Sequence, residues 1–270
     1  MFLWEWFLSP TFPSVIRLLH QRWRSYNRRR RVVVVSGVLL AAVLTPAIVV
    51  VALSKLEPSW WPGPSADSAV TAAQAESLEN AALAQASLVR PGGAAATVET
   101  WFSEPWSVAI SEADANAWLE SRLPQWIANR HHDAAWSKQF ADVRLRFDDG
   151  RIDVAARVTT DSGSRIVGVT LRPRIEDDGS LWTPASTLFA GRAALPTGPV
   201  MRGLRGRVES ALPASVKGMP ELDGAFRTLL DEQAAAKAPI LRIDGGRRVR
   251  LLGIRVREGR VELTCRTEQR

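Results

Sequence analysis

The chain has 270 residues, 46% of them hydrophobic and 23% charged, with a formal net charge of +7. Its one cysteine excludes an internal disulfide framework, and three histidines leave little material for a structural zinc site. The hydrophobic content is too high for a disordered chain, and the length allows one or two domains with a real core.

An excess of arginine invites a nucleic-acid reading, but the position of the charge argues against it. Residues 1–31 hold seven arginines (Arg17, Arg22, Arg24 and Arg28 to Arg31) against one acid, Glu5, a net +6. Residues 54–100 carry −3, and residues 101–270 carry +4. The basic block is therefore local, and no nucleic-acid partner is expected.

The first 31 residues also hold Phe2, Trp4, Trp6, Phe7, Phe12, Trp23 and Tyr26, broken by Pro10 and Pro13. Aromatic rings beside arginines fit the lipid headgroup region, the alternative being a disordered cytoplasmic tail. Residues 32–53 then run without a single charge. At a helical rise these 22 residues extend about 33 Å, enough for a hydrocarbon core of about 30 Å. The basic region and the apolar run are both too long for a cleaved signal peptide. With the arginines in front and only Lys55 close behind, the segment reads as a single-pass signal anchor of a bacterial cell (inner) membrane. Its N-terminus is cytoplasmic and its C-terminal part extracytoplasmic. Within it Gly37, Ala41 and Thr45 recur every four residues, a small-residue stripe that would allow self-association, and Pro46 predicts a kink.

Residues 54–100 read as an Ala/Ser/Pro-rich spacer. Trp60-Trp61 marks the exit from the outer interface, residues 65–90 form a weak helix, and Pro91-Gly92-Gly93 ends it. Residues 101–270 form the extracytoplasmic domain. Ser111-Glu112-Ala113-Asp114 is a capping-box pattern opening a helix with Ala115, Trp118, Leu119, Leu123 and Trp126 on one face, interrupted at Pro124. Asn116 lies beside that face, either bonded to a strand or in solvent. Alternating strands follow: Val143 to Phe147 and Ile152 to Val158 around Asp148-Asp149-Gly150, then Val167 to Leu171, then Leu181-Trp182-Thr183 after Asp177-Asp178-Gly179. Two amphipathic helical patterns, Leu204/Val208/Leu212 and Leu222/Phe226/Leu229/Leu230, precede strands at 240–243, 249–256 and 260–267. The order predicts an α+β fold: one N-terminal transmembrane helix, a linker, and antiparallel strands packed with three to four helices. The hairpin at 145–157 is echoed at 254–266, through either duplication or the convergence of generic hairpin chemistry.

The run from Ile110 to Asn116 with Leu119, the Gly150-Arg151-Ile152 hairpin, Asp178-Gly179-Ser180-Leu181 and Gly191 to Pro196 resembles the YpmS-like class of membrane-anchored extracytoplasmic domains. The resemblance covers about residues 106–267. It implies a curved sheet wrapped on helices, an apolar groove suited to lipid, and no catalytic residues.

Catalytic chemistry is not visible. His131-His132-Asp133 has adjacent rather than i, i+4 spacing, which fits a surface turn better than a metal site. Asp148/Asp149 and Asp177/Asp178 each precede Gly, as turns do, and Cys265 alternates in register with Val261 and Leu263 as a buried thiol. Gly198 to Arg207 reads as an amphipathic helix with a basic face, or as a headgroup contact. No catalytic, cofactor or metal residues are assigned and no enzyme is expected. The functional expectation is a binding domain for lipid or another apolar ligand, the alternative being a structural interaction protein of the envelope.

Overall fold

The computed structural model describes residues 28–61, 67–93, 101–130, 140–160, 163–195, 236–237, 240–243 and 246–269. The aromatic N-terminal segment, His131-His132-Asp133, the Gly198–Arg207 stretch and the helical patterns at 204–212 and 222–230 lie outside the described residues. The chain forms two compact units, Met1–Ala52 and Leu53–Arg270.

The first unit holds most of helix α1 (Arg28–Ser54), with Pro46 inside it. Its stretch Val32–Ser54 is long and apolar enough to cross a membrane, as an anchor or a signal sequence would. Val33, Leu40 and Ile48 are among its exposed side chains, a surface that water disfavours and lipid does not.

The second unit begins with the last turn of α1 and runs at once into the domain. Leu53 O accepts from Leu56 N (3.2 Å) and from Arg192 N (2.9 Å), so one C-terminal orphan carbonyl of the helix is satisfied twice. Trp61 is 8% exposed and packs on Ala155 and Ile166, with Trp60 and Phe189 beside it. Of the tryptophan pair read as an interfacial marker, Trp61 is core, seated on Ala155 and Ile166, and Trp60 is half-buried beside it.

Helix α2 (Ser68–Ser87) is capped by Asp67, whose Oδ1 accepts from Ala69 N (2.9 Å). It is more than a spacer. Ala75 is fully buried, and Ala86 joins a core cluster with Val249 and Cys265. Its polar residues reach the next helix: Gln74 Nε2 donates to Asp114 Oδ1 (2.8 Å), and Glu79 Oε1 accepts from Trp118 Nε1 (2.9 Å). Burial through alanines gives little apolar periodicity, which is why the stretch looks weak in sequence.

The capping box forms as its pattern predicts. Ser111 Oγ accepts from Asp114 N (3.1 Å) at the start of α3 (Glu112–Ser121), and α4 (Leu123–Arg130) follows with Pro124 in its first turn. The strands are β1 (Trp101–Phe102), β2 (Trp106–Ser111), β3 (Phe140–Asp148), β4 (Arg151–Thr160), β5 (Gly163–Leu171), β6 (Arg174–Ile175), β7 (Ser180–Trp182), β8 (Ala185–Ala190), β9 (Ala193–Leu195), β10 (Ala236–Lys237), β11 (Ile240–Arg242), β12 (Arg247–Arg257) and β13 (Arg260–Gln269). All pairings are antiparallel, as the alternation predicts. Among the described residues they make three sheets rather than one: β3-β4-β5-β8-β9; β1-β13-β12-β11 with β2 also on β13; and β10-β7-β6. The cause is β13, which pairs with β1 and β2 from before α3 instead of extending the meander.

The two echoed hairpins meet tip to tip. Gly150 N donates to Val256 O (3.2 Å) and Gly259 N donates to Phe147 O (3.1 Å). Gly150 and Gly259 correspond in the echo, as do Phe147 and Val256, so the bonds are exchange-symmetric. Both glycines have φ near +70°, at 72° and 71°, which favours Gly. Phe147, Val256 and Val261, with Leu145, Ile152 and Ile254, pack behind this joint as the central core.

Candidate functional site

Strand β3 is the free edge of its sheet, and an uncovered edge is a template for pairing with another chain. Helix α3 closes it with side chains. Asn116 Nδ2 donates to Leu145 O and its Oδ1 accepts from Leu145 N, both at 2.8 Å, while Glu112 Oε2 accepts from Phe147 N (2.8 Å). An amide can mimic a strand's donor–acceptor pair, and of the two readings of Asn116 the bonded one is correct. Glu112 N donates to Gly259 O (2.8 Å), fixing the helix start on the hairpin joint.

Over this edge lies a cleft of about 730 Å³ whose lining includes Trp60, Gln74, Glu112, Asn116, Glu120, Arg144, Arg146, Asp148 and Glu258. Its lining carries four carboxylates and two arginines. Most of that charge is engaged within the fold. Arg144, 8% exposed, meets Glu120 Oε2 at 2.6 Å, Glu112 holds the strand, and Asp148 binds Arg151. The hydrogen bond from Arg151, with a second from Asp149 N, holds the Asp148 carboxyl below its ordinary value.

A second cleft, of about 450 Å³, opens on the other side of Trp60 and Arg146. The alternation of β3, β4, β5 and β8 sends Leu145, Phe147 and Ile152 to the central core and puts a polar row on the opposite face, beside the Trp61 cluster. Arg146, Asp153, Thr170 and Thr187 stand in register across the four strands. Asp153 is 4% exposed and accepts from Thr170 Oγ1 (2.6 Å) and Arg146 Nε (3.0 Å), the partners a buried carboxylate requires. Arg151, Arg172, Arg192, Ser59 and Ser186 complete the polar lining, and Phe189, Pro58 and Trp60 form the apolar side. Phe189 lies over Gly168, where a Cβ would clash with the ring, and meets Trp60 edge to face at 6.3 Å. The Arg146 guanidinium lies 5.5 Å from the Trp60 ring, a cation–π contact.

This lining has four arginines against one carboxylate. Asp148 takes up Arg151 from outside it, leaving an excess of two. Among the described residues the Arg172 side chain has no hydrogen-bond or ion-pair partner, and Arg192 uses only Nε, on Glu57 O (2.8 Å). Gly191 makes this possible: its φ is +54°, and a Cβ would meet the carbonyl oxygens of Leu53, Ser54 and Leu56 at under 3.0 Å.

The Asp178 turn is as its sequence implies, with Asp178 Oδ1 accepting from Ser180 N (2.8 Å). Burial pushes the Cys265 thiol up, against the opposing charge of Arg90. No group of three metal-ligating side chains occurs among the described residues. The arginine cleft was not singled out in the sequence. The signal was present in the Asp149-Gly150 turn, which fixes the register that sets Arg146 opposite Asp153. No protein-family model matches the chain, and no curated protein and no solved structure matches it either.

Proposed function

We propose that this is a single-pass membrane protein, cytoplasmic at its N-terminus, whose extracytoplasmic α+β domain is a non-enzymatic binding module. The observation that carries the reading is the stretch Val32–Ser54, long and apolar enough to cross a membrane and followed by a separately folded unit, Leu53–Arg270. The arginines ahead of the span supply the orientation. The likeness to YpmS-like anchored domains points the same way, but the two clefts are lined by charge and not by an apolar groove. The ligand chemistry they favour is polar, a headgroup rather than an acyl chain. The exposed stripe Gly37, Ala41 and Thr45 offers a face for a second copy.

The test is a C-terminal alkaline phosphatase fusion beside a C-terminal green fluorescent protein fusion in a bacterial host, with an N-terminal tag on both. Active phosphatase, a dark fluorescent protein and a full-length tagged chain in alkali-washed membranes are expected. A fluorescent C-terminus would overturn the orientation. Recovery of the domain without residues 1–53 would make the helix a cleaved signal.

A further inference from the structure

We infer that the arginine cleft bounded by Arg146, Arg151, Arg172 and Arg192 binds a phosphate-type anion, a phosphomonoester or phosphodiester carrying a small polar group. Several of this domain's half-buried and buried arginines are spent on carboxylates. Arg248, Arg250 and Arg266 converge on Glu268, Arg144 meets Glu120, and Arg157 meets Glu57 and Asp142. The arginine cleft instead gathers two solvent-exposed arginines, Arg172 and Arg192, beside Arg146 and Arg151 in one concavity. Its one lining carboxylate, Asp153, is spent on Arg146 and Thr170, while Arg172 and the terminal nitrogens of Arg192 point donors at no protein acceptor among the described residues. Guanidinium donors match phosphate oxygens in pairs, and the hydroxyls of Ser59, Ser186 and Thr187 line the same space. The volume of about 450 Å³ lies in the range of small-molecule sites, roughly 300–1,000 Å³. The wall of Pro58, Trp60 and Phe189 suits the carbon atoms of a glycerol or similar group.

Two sources carry this chemistry, a free phosphate ester and the headgroup of an anionic phospholipid. The second rests on the membrane reading above. Pro58 follows Ser54 by four residues, so the cleft rim lies at most about 14 Å of chain from the end of the apolar helix. The headgroup layer is itself roughly 5–8 Å thick on each side of the bilayer.

The full chain is reconstituted in nanodiscs of phosphatidylcholine, with or without phosphatidylglycerol, and thermal unfolding is followed by tryptophan fluorescence over a titration of glycerol phosphate. Stabilisation by glycerol phosphate in phosphatidylcholine discs indicates a soluble phosphate ester, and stabilisation by phosphatidylglycerol a headgroup. In either case Arg172→Gln, which removes no bond of the folded domain, weakens the response about tenfold or more, and Arg172→Gln with Arg192→Gln abolishes it. Equal responses in wild type and both variants, or no response to either ligand in wild type, would overturn the site. Should the topology experiment place the domain elsewhere, the glycerol phosphate arm still decides whether the cleft binds an anion.

Discussion

The two clefts share a wall, Trp60 and Arg146, and differ in what their charges do. On the β3 edge, polar side chains turn toward protein: Asn116 and Glu112 complete a strand's hydrogen bonds and Arg144 is held by Glu120. On the sheet face, Arg172 and Arg192 turn outward. A count of charged linings would rank the carboxylate-rich cleft as the better catalytic candidate. Hydrogen-bond accounting reverses that order, because a group already spent on the backbone is structural.

The largest expected effect comes from the ring buried next to the shared wall. Trp61→Ala takes a buried ring from its seat on Ala155 and Ile166, with an expected loss of about 3–5 kcal/mol. Urea unfolding of the full chain in nanodiscs checks it. A loss below about 1 kcal/mol would mean that Trp61 is not seated on the sheet and that Leu53–Trp61 is a loose tether. Next in size is Asn116→Ala, which leaves the N–H and C=O of Leu145 without their partner and costs about 2 kcal/mol. Asn116→Asp sharpens the point, since a carboxylate facing Leu145 O repels it. That variant should gain stability relative to wild type as pH falls and its carboxyl takes up a proton. Both substitutions should leave the response to phosphate unchanged, because they touch only the edge cleft.

How much of this was legible in sequence follows from range. The apolar helix, the capping box at Ser111, the break at Pro124 and the Gly turns are local, and each forms where its pattern places it. The burial of Trp61 was not legible because a tryptophan beside a membrane span and a tryptophan on a sheet look alike until the sheet is known. Helix α2 was undervalued because alanine buries well and shows little periodicity. The arginine cleft needs residues from β3, β4, β5 and β8 in one register, information that pairwise alternation holds only after the strand order is fixed. The hairpin echo was visible, but its meaning lies in two hydrogen bonds between residues more than a hundred positions apart.

The smallest effect tests the boundary itself. Asp148 lines the edge cleft, yet its partner Arg151 lines the other, so Asp148→Asn changes both at once. Asp148 is about one-third exposed, and solvent screening keeps the pair's stability contribution below about 1 kcal/mol. Its sign is nevertheless fixed. The folded carboxyl is depressed by the Arg151 hydrogen bond, so its contribution is fully present above the unfolded value near 4 and is lost as pH falls through the lower folded value. Asp148→Asn should therefore cost a little stability at pH 7, and less as pH falls through the folded value. It also releases the Arg151 guanidinium into the arginine cleft, raising the positive excess from two to three. Glycerol phosphate should then bind about two- to threefold more tightly at pH 7, with the gain fading at high salt. A destabilised variant that binds phosphate no better would mean that the two clefts are electrostatically one, and that Arg151 serves the fold alone.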